Sequence, residues 1–173
     1  TRVLAPNPGP MTLDGTNTYV LRRPDSHRIV VVDPGPREST HLRRILTLGE
    51  VELILLTHGH HDHSESAGVL SRLTGAPVRA ADPAFCANAG PLADGEQLNA
   101  GGLRLSAIAT PGQGGFDLIY LNADRDLADS SLRASLLTGD TILGRGTIVI
   151  ATPDGSLTDY FATLDRLASL RDT

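Results

Sequence analysis

The sequence predicts a mixed α/β fold, one domain over 1–173, built on two sheets with helices interspersed. Three observations carry this. Short apolar or alternating runs recur along the chain, at 16–21, 28–33, 51–56, 77–81, 103–108, 118–121 and 135–138, and such runs between turn residues read as strands. Helical stripes are fewer, over 39–48, 64–73 and 156–170. These strands are too many for one small open sheet, so two packed sheets are expected.

Taken in order, Asn7-Pro8-Gly9-Pro10 through Gly15 is turn-rich and reads as a loop. Thr16-Asn17-Thr18-Tyr19-Val20-Leu21 is β-branched and aromatic, hence a strand. Pro24-Asp25-Ser26 turns the chain into Arg28-Ile29-Val30-Val31-Val32-Asp33, its hairpin partner, and Pro34-Gly35-Pro36 stops it. Ser39 is placed to cap a helix with Leu42, Ile45 and Leu46 on one stripe, and Gly49 ends it. The apolar strand Val51 to Leu56 follows. From Ser64 a helix carries Ala67, Leu70 and Leu73 on one face and ends near Gly75. Pro77 to Ala81 is a short strand, and 82–100 is turn-rich with at most a short helix over 84–87. Residues 103–108 alternate, as a half-exposed strand does. After the glycine-rich loop Thr110 to Gly115, strands 118–121 and 135–138 flank the polar loop 122–134. The helix 156–170 is the clearest: Ser156 with Asp159 forms a capping pattern. Its apolar stripe is Leu157, Tyr160, Phe161, Leu164, Leu167 and Ala168.

Composition narrows the function classes. Aromatic content is low, so the core must be built from Leu, Val, Ile and Ala. Net charge is −5 with no basic run, which argues against a broad nucleic-acid-binding surface. The single cysteine, Cys86, excludes an internal disulfide and a cysteine-based zinc knuckle; it reads as a small buried hydrophobe, and a cytoplasmic location is expected. No apolar run approaches the roughly 18 residues of a membrane-spanning helix, and no signal-peptide pattern opens the chain. Every basic residue is Arg, which with the abundance of Ala, Gly and Leu suggests a GC-rich, bacterial coding genome.

The chemistry concentrates in Thr57-His58-Gly59-His60-His61-Asp62-His63, which holds four of the six histidines at the end of an apolar strand. Neutral imidazole is the commonest zinc ligand, and carboxylate is an accepted partner. In an extended segment His58 and His60 point the same way, so both rings can face one ion. Asp62 and His63 sit where the chain turns into a helix, and adjacent residues there diverge. Two neighbouring ions, or one ion and a second polar pocket, are the geometries this leaves. Gly59 leaves room for close backbone approach. His61 points away and reads as an orienting group, as does Thr57. His27 and His41 read as solvated residues of a turn and a helix surface.

These residues carry a resemblance. The run from Thr57 to His63 matches the T-H-x-H-x-D-H signature of the metallo-β-lactamase-fold hydrolases. Asn7-Pro8 through Val20, Val32-Asp33-Pro34-Gly35, Thr110-Pro111-Gly112 and Thr138-Gly139-Asp140 through Thr147 resemble the same superfamily in the right order. The details are most similar to the β-lactamase-like protein 2 branch, whose animal member is a mitochondrial endoribonuclease, and nearly the whole chain is covered.

The resemblance implies a four-layer αββα sandwich with the metal site on strand-end loops between the sheets. It implies a zinc-dependent hydrolase in which hydroxide formed at the metal attacks an ester, thioester or phosphodiester. His58 and His60 would hold one zinc ion, Asp62 and His63 a second, and Asp140 would bridge them. Asp62 would also act in catalysis by orienting the hydroxide. A small-molecule ester or thioester is favoured over single-stranded RNA, with no membrane partner; an oligomer is compatible with the sequence. Loop 9–17 and segment 82–100 are the expected substrate-facing elements.

Two features depart from the pattern. Gln113 stands where a T-P-G-H motif would carry the third histidine, and its amide oxygen is a weaker zinc donor. The resemblance implies a final histidine in a P-G-H turn after a strand that follows the helix 156–170, expected beyond Thr173. The alternative to an active hydrolase is therefore a catalytically impaired homologue, or an incomplete fragment, that retains the fold.

Overall fold

A computed structural model describes residues 1–113, 117–122, 135–150, 152, 153 and 155–170. The anticipated polar loop lies, from residue 123 to 134, outside the described residues, as do Gly114-Gly115-Phe116. Five strands form the first sheet in the order β1 (Arg2–Leu4), β2 (Asn17–Leu21), β3 (Arg28–Val32), β4 (Glu50–Leu55) and β5 (Val78–Arg79). The pairs β1–β2 and β2–β3 are antiparallel, whereas β3–β4 and β4–β5 are parallel. The second sheet is antiparallel throughout, in the order β6 (Gln97–Ala100), β7 (Leu103–Ala109), β8 (Leu118–Asn122) and β9 (Ser135–Leu137).

The continuous apolar run of β3 reflects its place in the middle of a sheet covered on both faces. Alternate residues of β3 and β4 serve two different cores. Ile29, Val31, Ile54 and Leu56 face one side, with Leu42 and Ile45 of α1 (Ser39–Leu46) and Leu70 of α3 (Ala67–Thr74). Val30, Val32, Leu53 and Leu55 face the other, against Leu98, Leu103, Leu105 and Ala107 of the second sheet. On the far side of that sheet Ile108 and Leu136 meet Leu167 and Leu170, at the end of α4 (Leu157–Ser169). Helix, sheet, sheet and helix thus form the expected four-layer αββα sandwich. Among the described residues no helix is long and apolar enough to cross a membrane.

Several local expectations are corrected. The short edge strand β1 precedes the first segment to which the sequence assigns a structure, and β6 lies in the segment 82–100 that reads as turn-rich. The cap of α1 is Glu38, whose carboxylate accepts from His41 N at 2.8 Å, one residue before the anticipated Ser39. The helix expected from Ser64 is two pieces, α2 (His61–Ser64) and α3, because Ser66 between them gives its backbone N–H to Gly35 O at 3.1 Å instead of continuing the helical ladder. Leu73, Leu157 and Phe161, assigned to apolar stripes, are 63%, 58% and 57% exposed. Cys86 is half-buried and packs against the first core, as its reading as a small hydrophobe requires.

Candidate metal centre

The site forms where β4 ends and α2 begins. Leu55 and Leu56 are fully buried, so the chain leaves the sheet from a fixed point and Thr57-His58 follow while still buried. Asp33, at the end of the neighbouring strand β3, anchors the turn. Its backbone is left-handed, with φ 53°. Its Oδ1 accepts from Thr57 N at 2.8 Å, and its Oδ2 accepts from Thr57 Oγ1 at 2.7 Å and from His63 Nδ1 at 3.0 Å. One buried carboxylate therefore sets both the start of the cluster and the ring of its last histidine.

These bonds decide the histidine tautomers. Thr57 Oγ1 has one proton and gives it to Asp33, a group that only accepts. The 3.0 Å contact between Thr57 Oγ1 and His58 Nδ1 must then be donated by His58. That leaves a lone pair on His58 Nε2, the form of imidazole that ligates a cation. His58 Nε2 in turn accepts from His60 Nδ1 at 2.9 Å. Burial first, and then the charge of His63, push the His58 pKa down to about 4, so this ring is neutral at pH 7.

His63 is the opposite case. Burial alone would lower its pKa, but Asp33, Asp140 and Asp62 surround it and raise it well above the ordinary value. Its Nε2 lies 3.2 Å from Asp62 Oδ2 and 3.4 Å from Asp140 Oδ1. Burial works against ionisation of both carboxylates, yet the bond from His63 outweighs it and holds each pKa below the usual range. Thr16 adds a 2.7 Å bond to Asp62 Oδ2, and Asn7 holds Thr16 in place through its hydroxyl and its backbone N–H. Adjacent Asp62 and His63 therefore converge on one spot, where the sequence suggested divergence.

Asp140 arrives from the turn after β9. The preceding Gly139 has φ 49°, and a Cβ there would lie 2.6 Å from Thr57 Oγ1. The glycine lets the Asp140 turn close on the histidine loop, bringing Asp140 Oδ2 to 3.8 Å from His58 Nε2.

Donor atoms of His58, His63 and Asp140 all lie within 4.8 Å of one another. A tetrahedral zinc with bonds of ~2.0–2.2 Å needs neighbouring donors about 3.3–3.6 Å apart. The spacing, the unprotonated Nε2 of His58 and the three carboxylates clustered around His63 fit a divalent cation, which would take the place of the His60 bond on His58.

Of the residues anticipated from sequence, His58, His60, Asp62, His63 and Asp140 come together. Among the described residues no hydrogen bond joins Gln113 to them; it is half-buried on the loop after β7. His61 is exposed, and its ring makes no described bond to the cluster. The anchoring role of Asp33 is not legible in the sequence, which shows it only as part of the Val32-Asp33-Pro34-Gly35 turn. His41, expected to be solvated, is buried. The Nε2 of His41 is 2.9 Å from Thr18 Oγ1, and that hydroxyl donates to Asp33 O at 2.6 Å. The signal was available: position 41 falls on the inward side of the stripe that includes Leu42 and Ile45.

Comparison with known proteins places the chain in a family. The sequence profile of the metallo-beta-lactamase superfamily matches residues 11–129. The chain is 34% identical over 162 residues to a hydroxyacylglutathione hydrolase of Albidiferax ferrireducens, covering 91% of this chain and 59% of that protein. It is 30% identical over 190 residues to a beta-lactamase-like protein 2 homolog of Caenorhabditis elegans, covering 100% and 58%. It is 29% identical over 178 residues to the atrochrysone carboxyl ACP thioesterase of Aspergillus fumigatus, covering 98% and 52%. The chain thus spans between about half and three fifths of the length of these curated relatives. Among solved structures, the metallo-beta-lactamase family protein TTHA1429 from Thermus thermophilus superposes with a TM-score of 0.79 at 24% identity, covering 98% of this chain and 69% of that one. TTHA1623, solved in a di-iron-bound form, superposes with a TM-score of 0.73 at 22% identity, covering 98% and 86%. These structural likenesses are likenesses of fold. The profile match takes in the histidine cluster and more than half of the chain, and the chain belongs to the metallo-β-lactamase superfamily.

Proposed function

We propose that this chain is a zinc-dependent hydrolase acting on a small-molecule ester, with a thioester of an apolar acyl group as the preferred class. The observation that carries the reading is the convergence of His58, His63, Asp62 and Asp140 on one spot. His58, His60 and Gln113 are assigned to one zinc ion and Asp62 and His63 to a second, with Asp140 shared. A bound zinc ion supplies a Lewis acid and lowers the pKa of water.

The protein's own groups do the rest. Asp33 and Thr57 hold His63 and His58 in their ligating orientations. Asp62 is fixed at Oδ2 by Thr16 and His63, and its carboxyl stays ionised well below the usual range. Such a group orients water better than it stores a proton, so orientation is its assigned catalytic role. The loop bearing Asp140 touches loop 7–16: Arg145 pairs with Asp14 at 2.6 Å, and Gly146 lies beside Leu13. These two loops expose Met11, Leu13, Ile142 and Leu143. An apolar rim whose cation, Arg145, is already paired suits an acyl chain better than the polyanion single-stranded RNA. The thioesterase and hydroxyacylglutathione hydrolase among the relatives support the same class.

Metal content by elemental analysis, with hydrolysis of an apolar acyl thioester, a phosphodiester and single-stranded RNA, tests this. Wild type is expected to carry zinc and to prefer the thioester. Asp140→Ala should lose metal and activity together, by on the order of 100-fold or more, since removal of mere outer partners already costs 10–100-fold. Gln113→His should raise metal per chain. A metal-free wild type inactive on all three substrates would overturn the proposal.

A further inference from the structure

The loops after β7 and β9 both lean on α4. Along α4, residues at successive turns meet the segment 109–112 running the other way. Ser156 N donates to Gly112 O at 2.9 Å, Thr163 Oγ1 to Pro111 O at 2.8 Å, and Arg166 Nη1 to Ala109 O at 3.1 Å. Between these contacts the backbones touch: a Cβ at Gly112 would lie 2.3 Å from Tyr160 N and 2.4 Å from its Cα. The residue before Gln113 is therefore pressed against Tyr160.

The side chain of Tyr160 reaches the other loop. Its hydroxyl donates to Thr141 O at 3.0 Å. Thr141 is 2% exposed and closes its own turn through N–H to Thr138 O at 3.0 Å, with Asp140 inside that turn. Tyr160 thus contacts the Gln113 loop through its main chain and the Asp140 turn through its phenol.

We propose that Tyr160 is a positioning residue that fixes the Asp140 turn relative to the Gln113 loop. The inference rests on the metal-site reading only in assigning Asp140 and Gln113 a ligating role. A rigid phenyl body with one terminal hydroxyl suits the task, because it holds a distance with few rotatable bonds.

Tyr160→Phe keeps the ring and deletes only the bond to Thr141. Two measurements on the full chain test the proposal. In metal-free protein, amide hydrogen exchange over 138–142 should quicken about fivefold, the weight of one neutral hydrogen bond, with the β3–β4 core unchanged. In titration with cobalt(II), affinity should fall about fivefold and the visible bands should shift, as a merely structural role would not require. Leu157→Ala, a 58% exposed position on the same helix, should alter neither. Unchanged exchange over 138–142, or unchanged cobalt affinity and bands in Tyr160→Phe, would overturn the proposal. A wild type that takes up no cobalt sinks the metal-site reading instead, and the exchange arm still decides whether Tyr160 holds the turn.

Discussion

At the scale of single residues, the site is governed by what each imidazole can share. Asp33 accepts from Thr57 and His63, Thr57 passes the constraint to His58, and the two rings end in opposite protonation states. This gives the metal-free protein a characteristic pH dependence. His63, with its pKa raised above 6.5 by its carboxylates against the pull of burial, stabilises the fold below pH 6.5. That stabilisation is lost as pH rises through its folded value. His58, held down to about 4 mainly by burial, acts the other way. Between pH 6.5 and 4 the unfolded chain takes up a proton that the folded ring refuses, so stability falls as pH drops. His41, lowered by burial, adds to that acid limb. Chemical denaturation in the presence of a chelator should therefore show a stability maximum near pH 6.5. His63→Gln should flatten the alkaline limb; a wild-type profile flat from pH 5 to 8 would contradict the assignment.

At the scale of elements, the long regular pieces follow their sequence patterns and the short ones follow their neighbours. β3 and β4 were legible as continuous apolar runs, because both of their faces are buried; β7 was legible by its alternation, and α4 by its capping serine and length. The edge strands β1 and β6 are short and each pairs with one neighbour only. Their alternation, with Val3 buried in β1 and Leu98 and Ala100 buried in β6, spans only three or four residues, too short a run to stand out from the turns beside it. The loop after β4 is an element of this second kind. Phe85, in the 3₁₀ turn Pro83–Phe85, covers Gly59 so closely that a Cβ there would lie 2.4 Å from the ring. Gly59→Ala should cost about 1–3 kcal/mol, as overpacking typically does. In a Phe85→Ala background the same change should cost less than ~1 kcal/mol. A double-mutant cycle by thermal melting measures the coupling, and equal costs in both backgrounds would refute the clash.

At the scale of the molecule, four layers divide the apolar residues of β3 and β4 between two cores. Leu55 is fully buried between the sheets, packed in the cluster that includes Leu53 and Leu105. Leu55→Ala should destabilise by ~2–5 kcal/mol. Leu73→Ala, at an equally apolar position of the predicted helix stripe, should change stability by no more than about 0.5 kcal/mol, because that side chain is 63% exposed. Urea denaturation distinguishes the two. The sequence alone determined the class of fold, the order of its long elements and the identity of the histidine–aspartate cluster. Local hydrophobic period and ligand chemistry are written in neighbouring residues. Only the tertiary structure decided that Asp33 anchors His63, that His41 meets Thr18, and that Tyr160 spans two loops. Each of these is a contact between residues distant in the chain, where no local period records the partner.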